Sequence, residues 1–405
     1  MLLIYNCFIR IYRILIFIVA FFNKKAKLWQ NGRKNSNFVQ LQNSTWFHFA
    51  SLGEFEQGRP VLEKMRTENP SKSIVITFFS PSGYEVRKNT PLANYVYYLP
   101  LDTKKNARRF IAAIKPDVAI FTKYEYWYHF FNELNKQQIP LYMISSIFRP
   151  DQVFFKWYGG LHRKMLGFVT RFFVQDEDSK TLLQNIGIYN VSVSGDTRFD
   201  RVWANAQKPT ALPIIEQFKN NAPVFIGGST WPDDEQLIAS LVPLYPNWKF
   251  IIAPHEITDE KIAKLKSLLP ENETIKFSEI RNSPATVSND RVLIIDNIGM
   301  LYSLYQYGDI AFIGGGFGVG IHNTLEAAAF GLPVIIGPNY QKFREARDII
   351  SLGLGYSINH LEELKPVVDK LVYDIPFRKK TGVGIKAYVE KNTGATETII
   401  KAISV

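Results

Sequence analysis

The chain of 405 residues exceeds the length at which one hydrophobic core usually keeps growing, and its 46% apolar content is enough for two domains of ordinary size. Its formal charge of +11 would suit nucleic acid, but seven of the 48 Lys and Arg lie in the first 34 positions, where there is no Asp or Glu; the other 41 face 37 acids, about +4, which speaks against a nucleic-acid partner. A single cysteine, Cys7, excludes an internal disulfide and a cysteine-rich zinc site, and suits a reducing compartment.

The first element, "MLLIYNCFIRIYRILIFIVAFFNKKAKLW", is apolar for about 22 residues, close to the roughly 20 needed to cross a bilayer. Arg10 and Arg13 interrupt it, and no small-residue cleavage site follows, so a removed signal peptide fits poorly. Residues 1–22 are expected to be a membrane anchor, either a span with Lys24, Lys25 and Lys27 on the cytoplasmic side or an interfacial helix with snorkelling arginines. A buried helix of the globular domain is the alternative.

From residue 44, β-rich runs alternate with helical stretches: "TWFHFA", "SIVITFF", "DVAIFT", "PLYMISS" and "RFFVQ". A second series follows with "APVFIGG", "KFIIAP", "RVLIID", "DIAFIGGG" and "PVIIG". Such alternation predicts parallel sheets with helices on both faces, hence two doubly wound α/β domains, 44–205 and 213–405, facing a cleft. The stretch "DRVWANAQKPTALP" reads as the linker between them.

Ligands of doubly wound sheets bind beyond the carboxyl ends of strands, so each strand-to-helix junction is a candidate site. Glu54, the first acid in the chain, stands in "ASLGEFEQG" at the first junction, where it is either a helix N-terminal acid favoured by the dipole or a functional carboxylate. The richest junction is "DIAFIGGGFGVGIHNTLEAAAF", in which a strand enters a glycine loop and a helix opens near Asn323. Free N–H groups at such a start suit a phosphate, and Asn323 as a plain cap is the alternative. Glu326 either completes a capping arrangement or accepts from a ribose diol. "GGSTW", "APHE" and "DNIGML" each follow an apolar strand in the same domain, and together they favour a bound nucleotide. "DED" at 176–178 falls where helix-start acids are expected, and the histidines lack metal-ligand spacing, so no metal is assigned.

These stretches, with "TKYEYWYHF", "FVQDEDS", "SGDTRFDRV" and "GGGFGVGIHNTLEAAAFGLPVIIGPNYQKFREA", stand in the order found in a known family. From about residue 46 to 350 the chain resembles the 3-deoxy-D-manno-octulosonate (Kdo) transferases of lipopolysaccharide biosynthesis. The resemblance implies a GT-B glycosyltransferase fold, CMP-Kdo as donor, a lipid A precursor as acceptor, inversion at the anomeric carbon, no metal or other cofactor, and a place on the cytoplasmic face of the inner membrane. It also implies Glu54 as general base and Arg198 as the cation that steadies the transition state. CMP contacts would come from Pro254 and His255, from Ile298, Gly299 and Met300, and from Asn323, Thr324, Leu325 and Glu326. The chain departs from the family where many members have Pro-Arg-His in place of "APHE" and Asn-Pro-Leu-Glu in place of "HNTLE". Arg149 is a further candidate cation. A UDP-sugar transferase or epimerase of the same fold, and a membrane-tethered binding protein with a degenerate site, are the competing readings.

Overall fold

A computed structural model describes residues 1–34, 37–282 and 290–403. The chain divides into two units, Met1–Asp200 together with Asn392–Val405, and Arg201–Lys391. The first unit contains β1 (Ser44–Phe49), β2 (Ile74–Phe78), β3 (Tyr95–Tyr98), β4 (Pro116–Thr122), β5 (Leu141–Ser146), β6 (Arg171–Val174) and β7 (Val191–Val193). All pairings are parallel, in the order β3-β2-β1-β4-β5-β6-β7. The second contains β8 (Val224–Thr230), β9 (Lys249–Pro254), β10 (Thr274–Lys276), β11 (Val292–Ile294), β12 (Ile310–Ile313), β13 (Val334–Ile336) and β14 (Gly355–Ser357), again parallel, in the order β10-β11-β9-β8-β12-β13-β14. This is the GT-B arrangement of two doubly wound domains.

Central strands are continuous apolar runs because helices cover both faces of a parallel sheet. β1, "STWFHF", is buried along its whole length. Its period of two sends Trp46 into a cluster with Phe110, Phe121 and Phe130, and Phe47 and Phe49 into the opposite cluster with Phe55, Phe78 and Ile399. Trp46 meets Phe110, Phe121 and Phe130 near edge-on, at 5.0 to 5.7 Å between centroids. Truncating it to Ala would cost about 3–5 kcal/mol through lost transfer energy and the cavity left behind.

Two expectations differ from the structure. The stretch read as a linker is helical from Thr197 to Gln207, because Phe199 and Val202 are both buried and lie three residues apart on one helix face. The second unit ends at Lys391 instead of running to the C-terminus. The helix Ala395–Ile403 belongs to the first unit because Ile399 and Ile400 complete its Phe47–Phe78 cluster. Asp200 secures that helix, accepting from the backbone N–H and the hydroxyl of Thr396 at 2.7 and 2.6 Å.

The N-terminal helix α1 (Leu2–Val19) is long and apolar enough to cross a membrane. One of its faces is nonetheless docked. Ile9 is buried, the Tyr5 hydroxyl donates to the buried Asp102 carboxylate at 2.5 Å, and Asn6 Oδ1 lies 2.7 Å from His129 Nε2. Asp102 also accepts from the N–H groups of His129 and Phe130, so α1 is tied to the start of the helix Tyr128–Lys136. The opposite face (Ile4, Phe8, Ile11, Leu15, Ile18 and Phe22) is exposed. α2 (Lys24–Lys34) packs against α1 through Trp29, whose ring meets Tyr12 at 5.6 Å.

Candidate functional site

The strand order of the first unit reverses between β1 and β4, and a doubly wound sheet opens to ligands at such a switch point. Both adjoining loops carry carboxylates there. Glu54 lies in the first turn of α3 (Leu52–Glu68), and its Oε2 accepts from the Ala50 N–H at 2.6 Å. Burial first, then the charge of Glu125, pushes its pKa up to about 8, against the pull of the Ala50 bond and Lys123. His48, fully buried on β1, has Nε2 3.3 Å from Glu125 Oε2 and Nδ1 2.8 Å from Thr77 Oγ1. A carboxylate only accepts, so Nε2 carries the proton and Nδ1 accepts from the Thr77 hydroxyl. Burial lowers the His48 pKa despite Glu125, which keeps the ring neutral. Trp127 Nε1 supplies Glu125 Oε2 with a second bond at 2.9 Å.

Lys123, just past β4, has φ +68°, and Ser145 near the end of β5 has φ +50°. Left-handed conformations at non-glycine residues cost about 1–3 kcal/mol each and gather where backbone is shaped for a ligand. Arg198 is held in place by Asp196, with Nε and Nη2 at 2.8 and 2.7 Å from Oδ2. Burial disfavours the Asp196 charge most strongly, yet Arg198 keeps its pKa lowered. Asp196 Oδ1 accepts from Gln57 Nε2 at 3.0 Å, one turn along α3 from Glu54, so a single helix positions both the carboxylate and the cation. The Tyr124 hydroxyl has its pKa raised by burial first; Arg149 and Arg198 hold it lower while Glu54 and Asp176 raise it. Arg149 itself is exposed, and Asp176 caps the helix Glu177–Gln184 by accepting from Ser179 N at 2.8 Å.

In the second unit the order reverses between β8 and β12. The loop after β12 is anchored by a residue on the helix after β8: Asp234 Oδ2 accepts from Trp231 N at 2.8 Å and from Gly315 N at 2.9 Å. Gly315 has φ +90°, and a Cβ on Gly316 would lie 2.6 Å from the Gly337 backbone, so neither position accepts a side chain. The loop returns with His322, which joins a stack of three rings. Trp231 lies on His255 at 4.9 Å and His255 on His322 at 4.3 Å, while Trp231 Nε1 donates to His322 Nε2 at 3.1 Å. Burial and then His255 push the His322 pKa down to about 4.

Pro254 ends β9, and the next residue, His255, donates its N–H to Thr230 O at 2.9 Å. Ile298 is 90% exposed beside Gly299, whose φ is +101°, while Met300 is buried. The helix expected near Asn323 is short, Leu325–Ala329, and Gly331 beyond it takes φ +79°. Asn323 Oδ1 accepts from Leu325 N at 3.2 Å, and its Nδ2 donates to Glu326 Oε1 at 3.1 Å. Glu326 thus bonds the side chain of Asn323 and not its backbone N–H, so the capping box does not form. Burial raises the Glu326 pKa, opposed by Asn323 and then Arg201. The Thr324 hydroxyl is buried without a hydrogen-bond partner among the described residues.

Residues 22–201 match the family model described as 3-deoxy-D-manno-octulosonic-acid transferase (kdotransferase). A 3-deoxy-D-manno-octulosonic acid transferase from Haemophilus influenzae is 26% identical over 370 residues, covering 88% of this chain and 85% of that protein. One from Chlamydophila psittaci is 28% identical over 336 residues, covering 80% and 76%. Over most of its length the chain is similar to Kdo transferases. A bifunctional glycosyltransferase/methyltransferase of Fusobacterium nucleatum is 26% identical over 94% of this chain, which spans 60% of that relative. Among solved structures, the Neisseria meningitidis UDP-GlcNAc 2-epimerase superposes with a TM-score of 0.61 at 17% identity, covering 88% of this chain and 98% of that one. The glycotransferase of kitacinnamycin reaches 0.54 at 12%, covering 89% and 99%. At such identities these neighbours share the fold.

Glu54 and Arg198 lie in the stretch that the family model covers, and residues 254–326 lie beyond it. Sequence reasoning quoted "TKYEYWYHF", "GGSTW" and "HNTLE" without naming Lys123, Glu125, Trp231 or His322, and it gave Asp234 no role in the site. The position of "TKYE" after an apolar strand was the available signal for the first two. For the ring stack there was none, since its members are 24 and 67 residues apart along the chain.

Proposed function

We propose that this glycosyltransferase moves Kdo from CMP-Kdo to a lipid A precursor with inversion. The observation that carries the reading is Glu54: a largely buried carboxyl group with a pKa near 8, at the switch point of the unit that matches the family model. An acceptor hydroxyl oxygen attacks the anomeric carbon of Kdo, the bond from that carbon to the CMP phosphate oxygen breaks, and the electron pair leaves with CMP. Glu54 takes the hydroxyl proton, the role in which a raised carboxylate pKa is useful. Arg198, aimed by Asp196, opposes the negative charge that grows on the phosphate. On the donor side, Pro254 and His255 with Ile298, Gly299 and Met300 hold the cytidine, and the N–H groups of Asn323 and Thr324 face the phosphate while Leu325 N–H holds the Asn323 side chain in place. Glu326 accepts from the ribose. No metal or other cofactor is required in this scheme, because fixed donors do the neutralising.

The exposed stripe of α1 supports placing the enzyme on the cytoplasmic face of the inner membrane, close to an acceptor that is itself a lipid. Mass analysis of products after incubation with CMP-Kdo and a lipid A precursor tests the reading: one or more added Kdo residues are expected. Absence of any product, with UDP and not CMP protecting the protein against heat, would overturn it.

A further inference from the structure

Rotating α1 by one stripe from its docked face brings Arg10, Arg13 and Phe17 to the mouth of a cavity of about 920 Å³ between α1, α2 and the helix Lys104–Ile114. Five cations line it, namely Arg10, Arg13, Arg33, Lys34 and Arg109, and no acid is among its described lining residues. Its remaining wall is largely apolar and includes Ile14, Phe17, Phe38 and Leu101. The floor is built, not incidental. Arg33 donates to the carbonyls of Trp29, Phe79 and Leu99 and lies 3.9 Å over the Trp29 ring. The Trp29 indole N–H, on a side chain only 6% exposed, has no hydrogen-bond partner among the described residues.

Cations beside an unsatisfied donor call for an anion, while the aromatic and aliphatic wall argues against a free, fully hydrated one. The exposed stripe of α1 continues from that mouth, so an acyl chain could lie along it while its headgroup turned inward. We infer that this cavity binds the phosphate headgroup of an anionic bilayer glycerophospholipid, and so fixes α1 in the plane of the membrane. Docking of Tyr5 and Asn6 supports that plane, since a helix crossing the bilayer would carry both away from Asp102 and His129. The inference rests on the membrane reading of α1 but not on the transferase reaction.

The full chain, purified in detergent and mixed with vesicles as the detergent is removed, gives the test. Vesicles of phosphatidylcholine alone are compared with vesicles containing phosphatidylglycerol. Wild type is expected to bind both and to favour the anionic ones. The triple variant Arg10→Gln, Arg13→Gln, Arg109→Gln should lose about 1,000-fold or more in affinity for anionic vesicles, at roughly tenfold or more for each charge-assisted bond to the phosphate, and little for neutral ones. Lys24→Gln, Lys25→Gln, Lys27→Gln removes equal charge outside the cavity and should lose at most about 100-fold, at roughly fivefold per charge, because it forfeits diffuse attraction without site-specific bonds. Equal losses in the two variants would overturn the site in favour of diffuse attraction, and equal wild-type binding to both vesicle types would overturn the preference. Failure to bind either type would sink the membrane reading as well. Displacement by millimolar inorganic phosphate at constant ionic strength would identify a free-phosphate site, and a tenfold rise in KM for detergent-dispersed acceptor in the cavity variant would assign the site to the acceptor; both overturn the proposal. Melting curves of each variant confirm folding.

Discussion

Glu54 reaches back along its own turn to take the Ala50 N–H at 2.6 Å through Oε2, and no described residue bonds Oε1. One oxygen is fixed, and the other is left to receive a proton. Replacing Glu54 with Gln preserves the Ala50 bond through the amide oxygen but removes the base. Transfer should fall about 100-fold or more, with CMP binding unchanged. Near-normal turnover would remove Glu54 from the mechanism.

A base must be ionised to act, so kcat/KM should rise with pH through about 8, the value to which burial pushes Glu54. Stability has the opposite sign. The native state binds this proton more tightly than the unfolded chain does, so the group's contribution falls as pH climbs from the ordinary carboxylate range through about 8. Glu54→Gln should therefore melt above wild type at pH 9 and close to it at pH 5, and a melting difference independent of pH would contradict the raised pKa.

Glu326 contacts Asn323 through one oxygen, leaving the carboxylate able to accept from a ribose. Calorimetric titration of CMP into Glu326→Gln should show affinity lower by about ten- to a hundredfold, the scale of a charge-assisted bond. Unchanged affinity with a lowered melting temperature would mean that the residue serves only the local turn.

Asp234 serves two N–H groups on separate loops, Trp231 and Gly315. Asp234→Ala leaves both short of a partner in a buried place and should cost about 2–6 kcal/mol in urea unfolding, at roughly 1–3 kcal/mol for each. Loosening the glycine loop should also weaken CMP binding. A loss under about 0.5 kcal/mol, the range of neutral surface changes, would show that the clamp is dispensable.

Tyr5 is the polar latch of α1. Tyr5→Phe keeps the ring packing and deletes the bond to Asp102, at a cost of about 1–3 kcal/mol for a bond to a buried carboxyl. Hydrogen exchange in α1 should then quicken while the central strands stay protected. Unaltered exchange would indicate that apolar packing alone holds the helix down.

The sequence by itself determined the two parallel sheets, because their central strands are buried on both faces and must be written as continuous apolar runs. All ten runs read from it are strands. The four it did not show, β3, β7, β10 and β14, are the four sheet edges. An edge has a neighbour on one side only, needs no apolar run, and in β7 is only partly buried throughout. The sequence also placed Glu54 and the glycine loop at strand ends, since turn chemistry is local. Tertiary structure alone decided which distant groups meet. It set Glu125 near Glu54, stacked Trp231, His255 and His322, returned the last helix to the first unit, and docked one face of an N-terminal helix whose apolar residues surround it. Apolar periodicity records how much of a segment is buried, whereas the identity of a contact across the chain is fixed only when the sheet order brings the strand ends together.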